Sequence, residues 1–411
     1  MKRQRSNGWT AAALGALALL AWLAAAFLAQ QCAAWSGGAV VRWSGETGVS
    51  PAQLRQAQRY AREDGVAELP ALTLWRERTG ESLADETRRR SAEATVLELL
   101  GDGGGLWPAG FVSGNYPAQG DGQGCAVDRA VAEALWGTGH AVGQAVCWQG
   151  KTYYVRGVFQ GTDGLMMVQG DETSAEPWPN LLLAFPDGDQ KARTEAFMSR
   201  NQFPHGQILD QSLLAWCLEM LSALPALVLA LGLLGRLLGQ GRTLAGRPAL
   251  LGQYLPLGLV GAGAALWCLG LPSVPGQLIP TRWSDLDFWA RLWTERLSGV
   301  RDYLALAPTA RDLRYWPAVL AGVLLALCAF FLTILAAERA RAGTGKALLL
   351  GWAAALGSVF IGSLAFAGGG GVAVSRQMWL LPPLWLGVDW ALARHEGSLT
   401  PRGDGYELEE T

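Results

Sequence analysis

Few residues in this chain have the types and spacings that support chemistry. The three histidines, His140, His205 and His395, are scattered, none stands at metal-ligand spacing from another, and no Cys-x-x-Cys occurs. The stretch 341–346 (RAGTGK) has the outline of a phosphate loop but fails its pattern. Lys346 is followed by Ala347, where a Ser or Thr would hold magnesium, and position 340 is Ala340 in place of the first glycine. These residues point to no catalytic set, no metal and no cofactor, and the chain reads as one that does no covalent chemistry itself.

Two acids fall in apolar runs. Glu219 and Asp389 are candidates for a transport or coupling role, because a charge at mid-membrane costs about 2.5–3.5 kcal/mol on insertion scales. Pro225 and the pair Pro382 and Pro383 lie in the same runs and would bend or interrupt helices there. Of the six cysteines, Cys32, Cys217, Cys268 and Cys328 lie in or beside apolar stretches. Cys125 and Cys147 fall between those stretches, where a disulfide could form in an oxidising compartment.

The elements that hold these residues follow from composition and pattern. The 411 residues are 50% apolar, enough for a membrane domain beside a folded polar one, and 33 basic against 35 acidic side chains give no reason to expect nucleic acid. Residues 9–29 are apolar or small except Thr10, about the length needed to span a bilayer, and Lys2, Arg3 and Arg5 place the N-terminus in the cytoplasm. A cleaved signal peptide is the rival reading; the length of the run favours a retained anchor.

From 35 to 211 charges, Gly, Pro, Asp and Asn are frequent and no long apolar run occurs. This stretch is expected to be an α+β domain outside the cytoplasm. Residues 51–64 read as a helix and 92–100 as a strand or a short helix. Residues 125–127 read as a buried strand. Asp128 follows as N-cap of a helix that buries Val131, Ala134 and Leu135 and stops at Gly137. Residues 145–148 and 152–159 read as two strands joined at Gly150, 181–185 as a strand and 191–198 as a helix.

Long apolar runs return at about 213–235, 249–271, 315–337 and 346–367, with a shorter one at 377–393. Arg236, Arg242 and Arg247 cluster between the first two, and Arg339, Arg341 and Lys346 between the third and fourth, so both loops are cytoplasmic. With the last run spanning, the C-terminus is inside and ends in an acidic, disordered tail. The outer segment 272–314 repeats Leu286, Trp289, Ala290, Trp293 and Leu297 at helical spacing, with a capping box at Ser284 and Asp287. That helix either lies on the outer membrane surface or packs its tryptophan face on the α+β domain; the sequence leaves both open.

Residues 124–137 (GCAVDRAVAEALWG), followed by 141–146 (AVGQAV) and 150–158 (GKTYYVRGV), resemble the MacB-like periplasmic core domain of ABC-transporter permeases. The upstream 99–102 (LLGD) and residues 108–114 fit the segment that precedes this pattern, and the order of anchor, domain and further helices fits as well. Four or five helices after the domain exceed the family's usual three. The resemblance implies a polytopic α-helical membrane protein with an inserted α+β extracytoplasmic domain, in the bacterial cell membrane. Its parts would be residues 1–34, 35–211, 212–393 and a cytoplasmic tail 394–411. It implies a permease-like subunit of the MacB/FtsX group, working with a separate cytoplasmic ATPase and as a homodimer or with a related permease. Work would pass along helices near 9–29 and 205–235. The two arginine-rich loops, with Arg236, Arg242, Arg247, Arg339, Arg341 and Lys346, would be the ATPase-coupling surface. The alternative is a membrane-anchored binding or sensor protein that needs no ATPase.

Overall fold

The computed structural model describes residues 8–63, 70–161, 163–186, 188–244, 248–270, 273–279, 287–340, 344–367 and 374–399. Helix α1 (Gly8–Trp35) leads into β1 (Ala39–Arg42), α2 (Pro51–Glu63) and the long strands β2 (Ala71–Asp85) and β3 (Arg90–Leu100). The turn α3 (Gly103–Leu106), β4 (Phe111–Gly114), β5 (Gly124–Asp128), α4 (Arg129–Trp136), β6 (Ala145–Trp148) and β7 (Lys151–Phe159) follow. Then come β8 (Leu165–Gln169), β9 (Asn180–Ala184), α5 (Gln190–Arg200) and β10 (Gln207–Asp210). The remainder is helical: α6 (Gln211–Leu244), α7 (Pro248–Cys268), α8 (Phe288–Leu304), α9 (Ala310–Arg339), α10 (Gly345–Ala367) and α11 (Arg376–Leu399).

The chain divides into two compact units. One is Gln31–Trp216 with Ser273–Ala318, the other Met1–Gln30, Cys217–Pro272 and Val319–Thr411; α1, α6 and α9 contribute residues to both.

The first unit is built on one mixed sheet in the order β10-β1-β9-β2-β3-β8-β5-β7-β4, with β6 pairing β2 and β7. The β2–β3 hairpin organises it. The near part of β2, Ala71 to Trp75, pairs with β9, and its far part meets β6 at Ala84 and Cys147. Because β3 pairs β8, β8 pairs β5, β5 pairs β7 and β7 pairs β6, six strands close into a ring. Alternate residues of such strands point inward. Leu83, Val96, Cys125, Val127, Val155 and Met166 fill the interior against Val131, Ala132, Leu135 and Trp136 of α4. A second core lies on the β1–β9 side: Val41, Leu74, Trp178, Leu181 and Leu183 pack with Leu54 of α2 and Met198 of α5. A register shift in the hairpin between Arg78 and Glu81 separates the two parts.

Asp128 caps α4 as the sequence predicts, its carboxylate accepting the Val131 N–H at 2.9 Å, and Gly137 ends that helix at φ 74°. The helix buries Trp136 and Ala132 where Ala134 was expected; Ala134 faces outward. Gln149 and Gly150 both hold positive φ, 49° and 75°, the geometry of a two-residue turn joining β6 and β7. Residues 90–100 form a strand, the first of the two readings above. The hairpin partner β2, and β1, β4, β8 and β10, are not anticipated by the sequence reading.

In the second unit α11 packs on α7 and α10. Met378, Leu381, Trp385, Val388 and Leu392 recur at steps of three and four and are all buried in one apolar cluster with residues of α1, α6, α7, α9 and α10. By length and apolarity α1, α6, α9 and α10 can cross a bilayer. Pro225 and the pair Pro382 and Pro383 sit inside α6 and α11 without interrupting either helix, so of the two expected effects the interruption does not occur. The indole of Trp352 donates to the Pro383 carbonyl at 2.9 Å, a bond that ties α10 to α11. Ser284, Leu286, Gly368 to Gly371 and the acidic tail from Thr400 onward lie outside the described residues.

Candidate functional site

In the sheet-bearing unit, the end of α1 and the beginnings of α6 and α9 meet β1, β2, β9 and β10 through buried polar side chains. The α9 start explains why. Thr309 and Asp312 form a capping box: the Asp312 carboxylate accepts the Thr309 N–H at 3.0 Å and its hydroxyl at 2.8 Å, and the Asp312 N–H donates to Thr309 Oγ1 at 3.2 Å. With its side chain 4% exposed, that carboxylate needs a counter-charge, because an unpaired buried ion is strongly destabilising. Arg42, the last residue of β1 and 7% exposed, supplies it at 2.7 Å. Its other nitrogens donate to Asn180 Oδ1 on β9 at 3.2 Å and to the Ala307 carbonyl at 2.5 Å. The Tyr303 hydroxyl gives Asp312 Oδ1 a further bond at 2.9 Å, and the Arg42 guanidinium lies over the Tyr303 ring at 5.1 Å. Burial, together with the Asp312 charge, pushes the Tyr303 hydroxyl well above the usual phenol range, so it stays a donor.

The neighbouring residue extends the knot. Arg311, 1% exposed, donates to the Trp35 carbonyl at the end of α1 and to Gln211 Oε1 at the start of α6, the latter at 2.7 Å. Glu77 of β2 accepts the Ala310 N–H at 2.8 Å. Burial raises the Glu77 pKa, the Ala310 bond opposes that, and the nearby Asp312 charge adds to it. Asp210 of β10 caps α6 by accepting the Leu213 N–H at 3.2 Å. Three helix ends are thus fixed to one side of the sheet by charge-assisted bonds.

Residues singled out from the sequence fall elsewhere. Arg236, read as a loop cation, lies inside α6 in the helical unit and pairs with Asp389 of α11, the acid read separately. The Arg236 guanidinium also stacks on Trp385 at 4.2 Å and donates to the Ala337 carbonyl of α9 at 3.2 Å. Its side chain is 24% exposed and that of Asp389 12%, so this arginine is a packing element of the bundle. Gly232, one turn before Arg236, is where Trp385 seats: a Cβ there would stand 2.8 Å from the indole. Arg242, Arg339 and Lys346 are exposed at the ends of α6, α9 and α10, while Arg247 and Arg341 lie outside the described residues. Glu219 is exposed in the third turn of α6.

Cys125 and Cys147 are free thiols and form no disulfide. Strands β5 and β6 flank β7 on opposite sides, and two strand spacings amount to about 9–10 Å, beyond disulfide reach. Burial pushes the Cys125 thiol up to about 12, which leaves it inert. His140 and His205 are exposed on separate loops, and no cluster of metal-binding side chains occurs among the described residues.

The sequence reading missed Arg42, Tyr303, Thr309, Arg311 and Asp312. One signal was present: Thr309-x-x-Asp312 directly before an apolar run is a helix start. Nothing in the sequence singles out Arg42, whose partner is 270 positions away.

These features define a polytopic α-helical membrane protein with an inserted α+β domain. No family model matches the chain, and no curated protein matches it. Among solved structures it is similar to the periplasmic region of MacB from Actinobacillus actinomycetemcomitans, at 10% identity and TM-score 0.36, over 44% of this chain and 91% of that one. It is also similar to the extracellular domain of the noncanonic ABC-type transporter YknZ from Gram-positive bacteria, at 14% identity and TM-score 0.31, over 40% and 96%.

Three outcomes are expected. Arg42→Met strands the Asp312 charge and costs about 3–5 kcal/mol in denaturant unfolding of the purified chain. Adding Asp312→Asn recovers much of that loss, and strictly additive costs would show that the two are not coupled. Because the Glu77 pKa is raised on folding, its protonated form adds stability that is fully present below the ordinary carboxylate value and is lost as pH rises through the folded value. Melting of wild type against Glu77→Gln across acidic pH therefore favours wild type increasingly as pH falls; a pH-independent difference would contradict it. In the helical unit, Asp389→Asn removes the carboxylate charge facing Arg236 and lowers thermal stability in detergent, whereas Arg236→Gln combined with Asp389→Asn melts closer to wild type.

Proposed function

We propose that this chain is the permease-like transmembrane subunit of an ABC transporter system, coupling a separate cytoplasmic ATPase to motion of its extracytoplasmic domain. The observation that carries the reading is the buried knot around Asp312 and Arg311, in which the ends of α1, α6 and α9 share charged side chains with the sheet. A compliant tether would need no such knot. Displacing any of the three helices along its axis would pull on β1, β9 or the head of another helix. The helix pair expected near 9–29 and 205–235 becomes a set of three, with α9 as the third.

The ATPase would bind the cytoplasmic helix ends at Arg242, Arg339 and Lys346, together with Arg247 and Arg341. Arg236 leaves this surface, because it is committed to Asp389. Such a subunit performs no catalysis itself.

Purification of the tagged chain from its native host in mild detergent tests the proposal. An ABC-type ATPase is expected at stoichiometric level and is lost on combining Arg242→Glu with Arg247→Glu. Recovery of the chain alone, under conditions that keep other ABC complexes intact, would favour a membrane-anchored binding or sensor protein.

A further inference from the structure

Helix α8 carries three different faces. Phe288, Leu292, Arg296, Gly299 and Tyr303 follow one another at steps of three and four; the first four are half-buried and Tyr303 is buried. This row is the one held to the α+β domain. Arg296 sits 3.6 Å from Asp189 and 3.7 Å from Asp210, and Tyr303 is bonded to Asp312. A second row, Arg291, Glu295, Ser298 and Asp302, is polar and exposed, with Glu295 reaching Lys191 of α5 at 2.5 Å. The third row is apolar and uncovered: Trp289 is 42% exposed, Trp293 43%, Leu297 65% and Leu304 55%.

The two dispositions that the sequence left open are thereby separated. The domain takes the row of Arg296 and Tyr303, and the tryptophans point elsewhere. Large apolar side chains in one contiguous row are expensive to leave in water, at about 25 cal/mol per Å². Chain connectivity limits what can cover them. Helix α8 ends at Leu304 and α9, apolar enough to cross a bilayer, begins at Ala310. The five intervening residues reach about 20 Å at most, so the Leu304 end of the row is tethered close to the start of the helix that can cross the bilayer. Indole rings, with an apolar body and one N–H, favour the boundary between headgroups and acyl chains.

We propose that α8 is an interfacial helix that beds Trp289, Trp293, Leu297 and Leu304 into the lipid leaflet on the side of the α+β domain. Its Arg296 row then fastens that domain to the membrane surface at β10 and α5. The polar row of Arg291, Ser298 and Asp302 faces water. The occupant of the apolar face is lipid, and neither a protein partner nor a second copy of the chain.

Photo-crosslinking tests this on the full chain in nanodiscs of phosphatidylethanolamine and phosphatidylglycerol. A benzophenone amino acid is placed singly at positions 293 and 297, at 294 and 298 as water-facing controls, and at 324 in α9 as a lipid-facing reference. Lipid adducts, read by mass spectrometry, are expected at 293 and 297 at a level comparable with 324 and at least about tenfold above 294 and 298. Adducts at 324 without adducts at 293 and 297 would overturn the proposal. So would equal lipid labelling of all four α8 positions, or crosslinking of 293 and 297 to a protein, which would identify a partner or a second copy as the true cover.

Discussion

The constraint on which the α+β unit depends is the removal of one carboxylate from water. Asp312 must begin α9, since its capping box with Thr309 satisfies backbone groups that the first turn leaves open. Once that turn is covered, the charge cannot remain alone, and the solution draws in Arg42 from β1, Tyr303 from α8 and, through Arg42, Asn180 from β9. Elements that are remote in sequence are held together by the electrostatics of a single group. Arg311, on the next face of the same turn, does for α1 and α6 what Asp312 does for the strands. Apolar contacts could supply comparable stability. They would not fix the angle and height of three helix ends, because only directed bonds have that specificity.

The helical unit uses a similar device with fewer parts. Gly232 and Arg236 stand one turn apart on α6, and Trp385 and Asp389 stand one turn apart on α11. The indole seats on the glycine, the guanidinium covers the indole, and the carboxylate neutralises the guanidinium. The polar group is thus shielded within the bundle by its own neighbours, and the helices are held in one register.

Local pattern made part of this legible before any coordinates. The helix that starts at Asp128 and stops at Gly137, the turn at Gly150 and the apolar runs all announce themselves within a dozen or two residues. What stayed hidden is non-local. The hairpin strand β2 carries charges on both faces, Arg76 and Arg78 on one and Glu77 on the other, and reads as loop until its partners are known; Arg76 and Arg78 pair with Glu98 on β3, Arg76 also with Glu176 beyond β8, and Glu77 accepts the Ala310 N–H. Arg236 was assigned to a loop because a hydropathy window ends where a charge begins, although its counter-ion lies 153 positions on, inside another apolar run. Thr309 and Asp312 were readable, but only to an eye that expected the helix to start earlier than its apolar stretch.

The ring of six strands also bears on how the domain behaves when crowded. Exposed strand edges invite pairing with other chains, and among the described strands the sheet order ends at β10 and β4. Strand β10 has α5 and α8 packed on it, and β4 is four residues long with an irregular register against β7. A domain so finished offers its neighbours, at the two terminal strands, only a helix-packed edge and a short irregular one for strand addition. Crowded copies of such a domain are thereby kept from joining edge to edge through their sheets.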